Sequence, residues 1–402
     1  MSQVTLARPA VEGGTPVRES FLSFATPVVS EAAIAEVVDT LRSGWLTTGK
    51  KTEQFEQRFA EYVGNRAAVG VASGTAALAL ALDVNEIGPG DEVITSPMTW
   101  VSSAHEVLHR GATPIFVDID RATLTIDPDR IQCRISENTK AILPVHFAGR
   151  PCQMDQLTAI AEQYGLTLIS DSAHSIEAAY QGRQLATWFP ISAYSFHPIK
   201  NLTTGEGGMI TTDNVEWAHR LRRLRLHGTT KDAWSRLNEY SLGPLDVLEL
   251  GHKCNMTDLQ ASLGLHQLDS LEQRHEHRSR LWKIYDDAFL GMDGIELPAE
   301  TPVHCRHARH LYNIVLDIDR LRIDRDRFRM ALLRENVGTG HHYRSLHTTT
   351  YYKRRFGLRD DDYPNSLWVS ERTVSLPMHA AMTEQDAQSV VEAVTRVLDF
   401  YR

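Results

Sequence analysis

Short apolar segments that alternate with helical patterns are the feature that most constrains the fold of this chain. Between residues 67 and 212, seven segments have the length and apolar character of buried strands: 67–72, 92–95, 114–117, 141–145, 166–170, 193–196 and 209–212. Helical patterns separate several of them, at 76–82, 101–109 and 154–164. This alternation predicts an α/β fold with a mostly parallel seven-stranded sheet that is covered by helices on both faces.

The pattern changes after Asn255, where a long helical region covers residues 258–290. Beyond it we predict a strand, a helix, a strand and a helix at 310–316, 325–336, 373–376 and 383–401, the last with a capping box of Thr383 and Asp386. A chain of 402 residues is long enough for two cores. We therefore predict a large domain with its N-terminal segment over residues 1–270 and a smaller α+β C-terminal domain over residues 271–402.

An amphipathic helix is predicted ahead of the sheet. Ile34, Val37, Val38 and Leu41 recur at helical spacing, and Gly44 follows where a left-handed C-terminal cap would end the helix. The next residues form a polar turn that contains one large aromatic side chain.

Composition excludes several classes of partner. The net charge is -9 and the two signs are interspersed, so no basic face is expected for nucleic acid. The four cysteines are far apart and form no CxxC pair, which indicates ordinary reduced thiols. The first nineteen residues lack the apolar core of a signal peptide, and no apolar run approaches the length of a membrane span. We expect a soluble, cytoplasmic protein.

A dense group of His304, Cys305, His307 and His310 raises the question of a metal site. A closed zinc site needs four convergent ligands, and His304 and Cys305 are adjacent in the sequence. We predict no metal, and we expect His310, which begins a predicted strand, to be structural or close to the substrate.

Lys200 lies in a loop that follows the predicted strand 193–196 and closes on two glycines before the next strand. Most lysines are solvated surface charges. At the mouth of a sheet, however, a lysine that follows apolar residues can lose part of its hydration, which lowers its pKa. Its amine is then free to form a Schiff base.

Asp171 comes directly after the predicted strand 166–170, at an edge of the sheet where sites in such folds lie. The carboxylate could simply cap a helix. It could also hold a protonated ring nitrogen, with His174 placed to contact a phenolic oxygen. An aspartate at a strand end and a loop lysine about thirty residues later are what a pyridoxal 5'-phosphate enzyme needs, because one keeps the pyridine protonated and the other forms the Schiff base and moves the proton.

Other strand ends carry groups that suit the same cofactor. Gly74 and Thr75 open a predicted helix whose N–H groups and dipole would bind a phosphate, although such turns are often only structural joints. Ser195 could bind the phosphate from the lysine loop. Trp100 could stack on the cofactor ring, although a lone aromatic is more often part of a core.

An ordered series of motifs extends from roughly Phe24 to the C-terminus. The motifs lie at residues 43–49, 73–76, 99–100, 146–149, 171–174, 195–201, 206–208, 227–228, 253–258 and 338–343. Together they resemble the DegT/DnrJ/EryC1/StrS family of nucleotide-sugar aminotransferases. Residues 337–352 and 375–377 are most similar to the branch that aminates UDP-4-amino-4-deoxy-L-arabinose precursors.

The resemblance implies a pyridoxal 5'-phosphate-dependent enzyme of fold type I, like aspartate aminotransferase, that acts as a homodimer with sites at the subunit interface. It also implies roles for individual residues. Lys200 would form the Schiff base, Asp171 would hold the pyridine nitrogen, Trp100 would stack on the ring and His174 would lie near the 3-hydroxyl. Gly74, Thr75 and Ser195 would hold the phosphate, Asn255 would reach in from the other subunit, and Thr47 and His342 would bind the substrate.

Two positions depart from the family pattern. Cys254 stands where the family often has a tyrosine, and Ser172 where it often has an alanine. Because Cys254 would lie near the path of the substrate, the identity of the sugar stays open.

The resemblance implies that an amino group passes from L-glutamate to the keto carbon, expected at C4, of a nucleotide-linked sugar. The products would be a nucleotide-linked amino sugar and 2-oxoglutarate, with ping-pong kinetics. A sugar dehydratase of the same fold is a second hypothesis, but such relatives replace the lysine that Lys200 matches. The chain could also be a non-catalytic sensor that binds the cofactor, or an aminotransferase for small amino acids, for which no arginine can be assigned. UDP or dTDP, pentose or 6-deoxyhexose, and C4 or C3 amination also stay open.

Overall fold

The computed structural model describes residues 8–230 and 244–402, and its largest sheet contains all seven predicted strands. The first seven residues of the predicted N-terminal segment, and residues 231–243 of the predicted large domain, lie outside the described residues. In chain order the strands are β1 (Ala67–Val71), β2 (Glu92–Thr95), β3 (Thr113–Phe116), β4 (Thr139–Leu143), β5 (Thr167–Asp171), β6 (Ala179–Tyr180), β7 (Arg183–Gln184), β8 (Ile191–Ser195), β9 (Gly208–Thr212), β10 (Ile295–Glu296), β11 (Cys305–Arg306), β12 (Tyr312–Leu316) and β13 (Thr373–Leu376).

The large sheet has the order β1-β9-β8-β5-β4-β2-β3. Strand β9 runs antiparallel to its neighbours β1 and β8, and the other four pairings are parallel. The carboxyl ends of β5 and β8 therefore lie at the same edge. Two smaller sheets have the orders β10-β12-β13 and β11-β6-β7.

The described helices surround these sheets. They are α1 (Glu31–Ser43), α2 (Lys50–Val63), α3 (Gly74–Val84), α4 (Ser102–His109), α5 (Met154–Tyr164), α6 (Val215–Leu224), α7 (Asp258–Asp269), α8 (Leu271–Phe289), α9 (Arg325–Arg334), α10 (Thr350–Phe356), α11 (Pro364–Arg372) and α12 (Glu384–Tyr401). None of the described helices is long and apolar enough to cross a membrane.

Both faces of the large sheet are buried, as the continuous apolar character of its strands predicts. Along β8, Ile191 and Ala193 join the core beneath α3 and α6. Tyr194, on the opposite face, packs with Phe59 of α2, as does Phe196 just beyond the strand. The predicted α/β architecture with helices on both faces is confirmed.

The predicted helical region 258–290 is divided into α7 and α8 at Ser270. The hydroxyl of Ser270 donates to the carbonyl of His266 at 3.2 Å. A serine that bonds back to the carbonyl four residues earlier competes with the helical ladder and bends the helix. Hydrophobic spacing alone does not reveal such a break.

The C-terminal part of the chain has a core of its own. Strands β10, β12 and β13 pack with α8, α9 and α12 around buried side chains such as Tyr285, Ile314 and Val394. Helix α12 begins with the predicted capping box, in which Thr383 and Asp386 bond reciprocally. Leu22, far from this region in sequence, joins the same core.

Helix α1 ends at Gly44 in a left-handed conformation (φ 74°), as predicted. Its apolar residues are less enclosed than a core-facing stripe would be, because Ile34 is 45% exposed and Leu41 is 53% exposed. The described residues of this chain leave part of that face uncovered.

Candidate active site

A cavity of about 340 Å³ opens at the carboxyl ends of β5 and β8. Its walls contain eight of the ten side chains singled out from the sequence: Gly74, Thr75, Trp100, Asp171, His174, Ser195, Lys200 and His342. The volume falls in the range of small-molecule sites. The sheet topology explains why these residues lie together. Asp171 ends β5, Ser195 ends β8, and these neighbouring strands are parallel.

The start of α3 forms a tight cradle against the end of β8. A Cβ atom placed on Gly74 would lie 2.7 Å from the Cβ of Ser195, so only glycine fits there. The Ser73 hydroxyl accepts from the Ala76 N–H at 3.1 Å, and the Thr75 and Ser102 hydroxyls are 2.8 Å apart. Backbone N–H groups at a helix N-terminus surrounded by hydroxyls suit the phosphate of pyridoxal 5'-phosphate.

Asp171 lies at the bottom of the cavity and is 5% exposed. Its Oδ2 accepts from the Ser103 hydroxyl at 2.7 Å and its Oδ1 from the Ala173 N–H at 3.2 Å. Burial raises the pKa of Asp171, while these two donors and Lys200 oppose the rise. A buried carboxylate bonded mainly to neutral donors is a good partner for a positively charged ring nitrogen.

Lys200 lies in the loop between β8 and β9, where its N–H donates to the His197 carbonyl at 2.9 Å. Burial lowers the pKa of its amine to about 8, although Asp171 acts in the opposite direction. An amine with this pKa is partly free near neutral pH and can attack an aldehyde.

We expect the reaction of Lys200 with pyridoxal 5'-phosphate to depend on pH with a midpoint near 8. The free amine is the reactive form, so acid should slow the reaction and the rate should level off above the midpoint. Stopped-flow absorbance of the apoprotein mixed with the cofactor would measure this profile, with Lys200→Ala as the blank. A midpoint close to 10.5, the ordinary value for lysine, would contradict the effect of burial.

Trp100 and His342 also line the cavity. Trp100 is 60% exposed, which is unusual for a large apolar ring and leaves its face free for a planar ligand. His342 stacks on Phe24 at 5.4 Å and its Nδ1 lies 2.8 Å from the Ser375 hydroxyl. Burial lowers the pKa of His342 to about 3, so the ring is neutral.

Thr47 and Asn255 do not line this cavity within the described part of the chain. They lie close to each other instead, since the Thr47 carbonyl accepts from the Asp258 N–H at 3.1 Å and Asn255 donates to the Thr48 hydroxyl at 2.7 Å. Lys253 also bonds to the Asn255 side chain. The cavity of the described chain therefore does not bring these two predicted residues together with the other eight.

A buried network holds the residue next to Lys200. The Asn201 amide donates to Glu177 and to the Ala308 carbonyl, both at 2.8 Å, and its oxygen lies 3.1 Å from Nδ1 of His310. Arg278 of α8 forms an ion pair with the other oxygen of Glu177. Three separate segments therefore fix the position of the lysine loop.

Loss of Arg278 should destabilise the protein. Glu177 and Arg278 are 0% and 2% exposed, so Arg278→Met would leave a buried carboxylate without its cation. We expect the free energy of unfolding to fall by about 3–5 kcal/mol. Urea unfolding would measure this fall. The exposed Arg280 serves as a control, because Arg280→Met should cost less than about 1 kcal/mol. Equal effects of the two variants would contradict the interpretation.

The histidines considered for a metal site have other partners. His310 bonds to Asn201, and His307 accepts from the Arg309 N–H at 2.8 Å. In residues 8–230 and 244–402, no group of three or more candidate ligands is arranged to hold a metal ion.

Among the cavity residues that were not singled out from the sequence, Ser103 and Tyr343 bond directly to predicted site residues. Ser103, which bonds Asp171, sits one turn after Thr99 at the start of α4, and its hydroxyl lies 2.8 Å from that of Thr99. Tyr343 is the last residue of the motif at 338–343, and the sequence alone gives this side chain no role. A cluster of hydroxyl residues after a strand end was the available signal for Ser103, and only the fold reveals Tyr343 beside His174.

A model of the DegT/DnrJ/EryC1/StrS aminotransferase family matches residues 27–395 of this chain. The chain belongs to this family. It is 43% identical over 384 residues to the spore coat polysaccharide biosynthesis protein SpsC of Bacillus subtilis, covering 95% of this chain and 98% of SpsC.

Solved structures agree with this assignment. The PLP-form of the putative sugar aminotransferase Spr1654 from Streptococcus pneumoniae superposes with a TM-score of 0.87 at 33% identity, covering 94% of this chain and 99% of that one. PseC from Helicobacter pylori, an aminotransferase involved in the biosynthesis of pseudoaminic acid, superposes with a TM-score of 0.87 at 25% identity, covering 95% and 100%. This aminotransferase is therefore a fold type I enzyme that uses pyridoxal 5'-phosphate and acts on a sugar.

Proposed function

We propose that this aminotransferase moves the amino group of L-glutamate to the keto carbon, at C4, of a nucleotide-linked sugar. The products are a nucleotide-linked 4-amino sugar and 2-oxoglutarate. The observation that carries the proposal is the cavity in which Lys200, with its lowered pKa, lies near the buried carboxylate of Asp171. The family of the chain supplies the reaction class.

The cavity residues fit the cofactor one group at a time. Asp171 would hold the ring nitrogen, Trp100 would stack on the ring, and the cradle of Gly74, Thr75 and Ser195 would bind the phosphate. Bound pyridoxal 5'-phosphate supplies an electron sink for the carbon that gains or loses the amino group.

Lys200 performs two tasks in this proposal. Its Nζ would hold the cofactor covalently, and its free amine would take up the proton lost from the α-carbon of the amino donor. A pKa of about 8 allows the amine both to accept and to release that proton near neutral pH. Asp171, held by the Ser103 hydroxyl and the Ala173 N–H, would keep the ring nitrogen protonated.

We also propose a homodimer in which each site is completed by the other subunit. The positions of Thr47 and Asn255 outside the cavity of their own chain support this arrangement. The exposed apolar side chains of α1, Ile34 and Leu41, offer a surface that a second copy would cover. Light scattering after gel filtration should therefore give about twice the 45.2 kDa chain mass.

The acceptor is proposed to be a UDP-linked 4-keto pentose, because residues 337–352 and 375–377 resemble that branch of the family. His342, which lines the cavity, would contact the sugar. The named roles of SpsC in spore coat polysaccharide and of PseC in pseudoaminic acid support a place in surface-sugar synthesis.

The predicted domains and location are part of the same proposal. Residues 1–270 would form the N-terminal segment and the cofactor-binding domain, and residues 271–402 the small domain, whose core around α12 supports this division. The cytoplasm, where nucleotide sugars are made, would be the site of action.

Mass-spectrometric amination tests the proposal. The enzyme, pyridoxal 5'-phosphate and L-glutamate would be offered a UDP-4-keto-pentose and, separately, a dTDP-4-keto-6-deoxyhexose, with Lys200→Ala as the negative control. Amination of the pentose alone is the expected result. Amination of the hexose alone would overturn the proposed acceptor. If neither sugar is aminated but glutamate still converts the cofactor, both acceptors would be wrong and L-glutamate would remain the amino donor.

A further inference from the structure

Tyr343 and His174 form a pair in one corner of the cavity. The Tyr343 Oη lies 3.1 Å from Nε2 of His174, and the two rings stack with centroids 6.1 Å apart and planes at 19°. Both side chains are buried, at 8% and 5% exposure, and both line the cavity. Their contact fixes which of the two can present a proton to a ligand.

The protonation of His174 follows from its other nitrogen. The Ala148 N–H donates to Nδ1 of His174 at 3.2 Å, so Nδ1 carries no proton. Ala148 adopts a left-handed conformation (φ 57°) that an alanine rarely takes. Burial, together with Lys200, His310 and His342, places the pKa of His174 well below its ordinary value. The ring is therefore neutral, and its single proton lies on Nε2.

A proton on Nε2 sets the direction of the Tyr343 hydroxyl. Nε2–H donates to Oη, so the hydroxyl must direct its own proton elsewhere. Among the described residues, Oη has no other hydrogen-bond partner. Burial and the neighbouring Asp171 raise the pKa of Tyr343, so the phenol stays protonated. A neutral hydroxyl with an available proton thus lies on the cavity wall.

We propose that Tyr343 donates this proton in a hydrogen bond to the phenolic oxygen of bound pyridoxal 5'-phosphate, and that His174 acts through Tyr343 as a positioning residue. The inference rests on the proposed use of this cavity as the cofactor site. It replaces the predicted direct contact of His174 with that oxygen, because both nitrogens of His174 are already engaged.

The neighbours of Tyr343 favour the cofactor as the acceptor. In pyridoxal 5'-phosphate the phenolic oxygen is on the ring carbon next to the one that bears the aldehyde, and the ring nitrogen lies across the ring from the aldehyde. Lys200 and Asp171, which would bind those two positions, line the same cavity as Tyr343. The ring of Trp100, proposed to stack on the cofactor, has its centroid 6.3 Å from that of Tyr343.

Tyr343→Phe tests the donor directly, since it removes only the hydroxyl. A donor to the phenolic oxygen stabilises the form in which that oxygen is negative, so its loss should raise the pKa of the bound cofactor. An absorbance titration of the holoenzyme should show a rise of about one to two pH units. Tyr352→Phe is the matched control, because the buried Tyr352 hydroxyl has no partner in the described chain and its loss should cause no shift.

A double-mutant cycle separates the two roles. As a single substitution, His174→Leu should raise the pKa of the bound cofactor. In a Tyr343→Phe background it should add no further rise, because His174 acts only through the Tyr343 hydroxyl. His174→Gln, whose amide can still donate to Oη, should restore much of the effect. Additive shifts would mean that His174 contacts the ligand itself and would overturn the proposal.

The proton on His174 can be observed without any ligand. Nitrogen-15 spectra of histidine-labelled apoprotein, assigned with the His174→Gln variant, should show a neutral ring with the proton on Nε2. A proton on Nδ1 would overturn the argument. So would a Tyr343→Phe enzyme with an unchanged titration and a raised KM for the sugar, since the hydroxyl would then serve the substrate. The titration needs only bound cofactor, so it stays informative even if neither sugar is aminated.

Discussion

Replacement of Lys200 by alanine is expected to abolish amino transfer, with a loss on the order of 10⁴-fold or more. The proposed roles of the Lys200 amine are the covalent link and the mobile proton, and no other lysine lines the cavity within the described residues. The fold should survive, because burial of this amine disfavours its charged form and its removal relieves that cost. Product formation measured by mass spectrometry, beside a thermal unfolding curve, would show the two effects separately.

Two further variants sharpen this test. Lys200→Arg keeps a positive charge but cannot supply a free amine, so it should be as inactive as Lys200→Ala. Lys140→Ala removes an exposed lysine of β4 and should leave the rate unchanged. Activity of Lys200→Arg within tenfold of the normal enzyme would show that charge, rather than the amine, is what the site needs.

Replacement of Asp171 by asparagine is expected to lower kcat by about 10²–10³-fold. The amide keeps the shape of the side chain and can still bond Ser103, but it removes the charge that favours a protonated ring nitrogen. The substitution should lower kcat more than it changes the KM for glutamate, because the charge favours the protonated ring nitrogen during the reaction and does not bind glutamate. Steady-state kinetics with both substrates would measure it.

A carboxylate outside the cavity provides the comparison for Asp171. Asp155 accepts from the Tyr180 hydroxyl at 3.0 Å on the surface of α5, and Asp155→Asn should change kcat less than twofold. If Asp171→Asn kept more than a third of the normal kcat, the carboxylate would have only a structural role.

Much of the site could be predicted because parallel strands gather their ends at one edge. Asp171 and Ser195 lie at the carboxyl ends of neighbouring apolar strands and Lys200 lies in the loop that follows, so locating the strands was enough to bring them together. The start of α3 was recognisable for a similar local reason, since only Ala72 and Ser73 separate Gly74 from the end of β1.

Several features could not be predicted because they depend on contacts between distant segments. Tyr343 meets His174 across 169 positions of sequence, and no local pattern specifies that approach. The break at Ser270 coincides with a side-chain hydrogen bond inside an otherwise helical pattern. The exposure of Ile34 and Leu41 shows a further limit, since a spacing pattern identifies an apolar face but not what covers it.

The network around Asn201 connects the lysine loop to helix α8. Asn201, the residue beside Lys200, donates hydrogen bonds to Glu177 and to the Ala308 carbonyl. Glu177 is in turn paired with Arg278 of helix α8. The position of Lys200 is therefore tied to α8 through Asn201, Glu177 and Arg278. We expect substitutions that shift α8 to change the reactivity of Lys200 even when they lie far from the cavity.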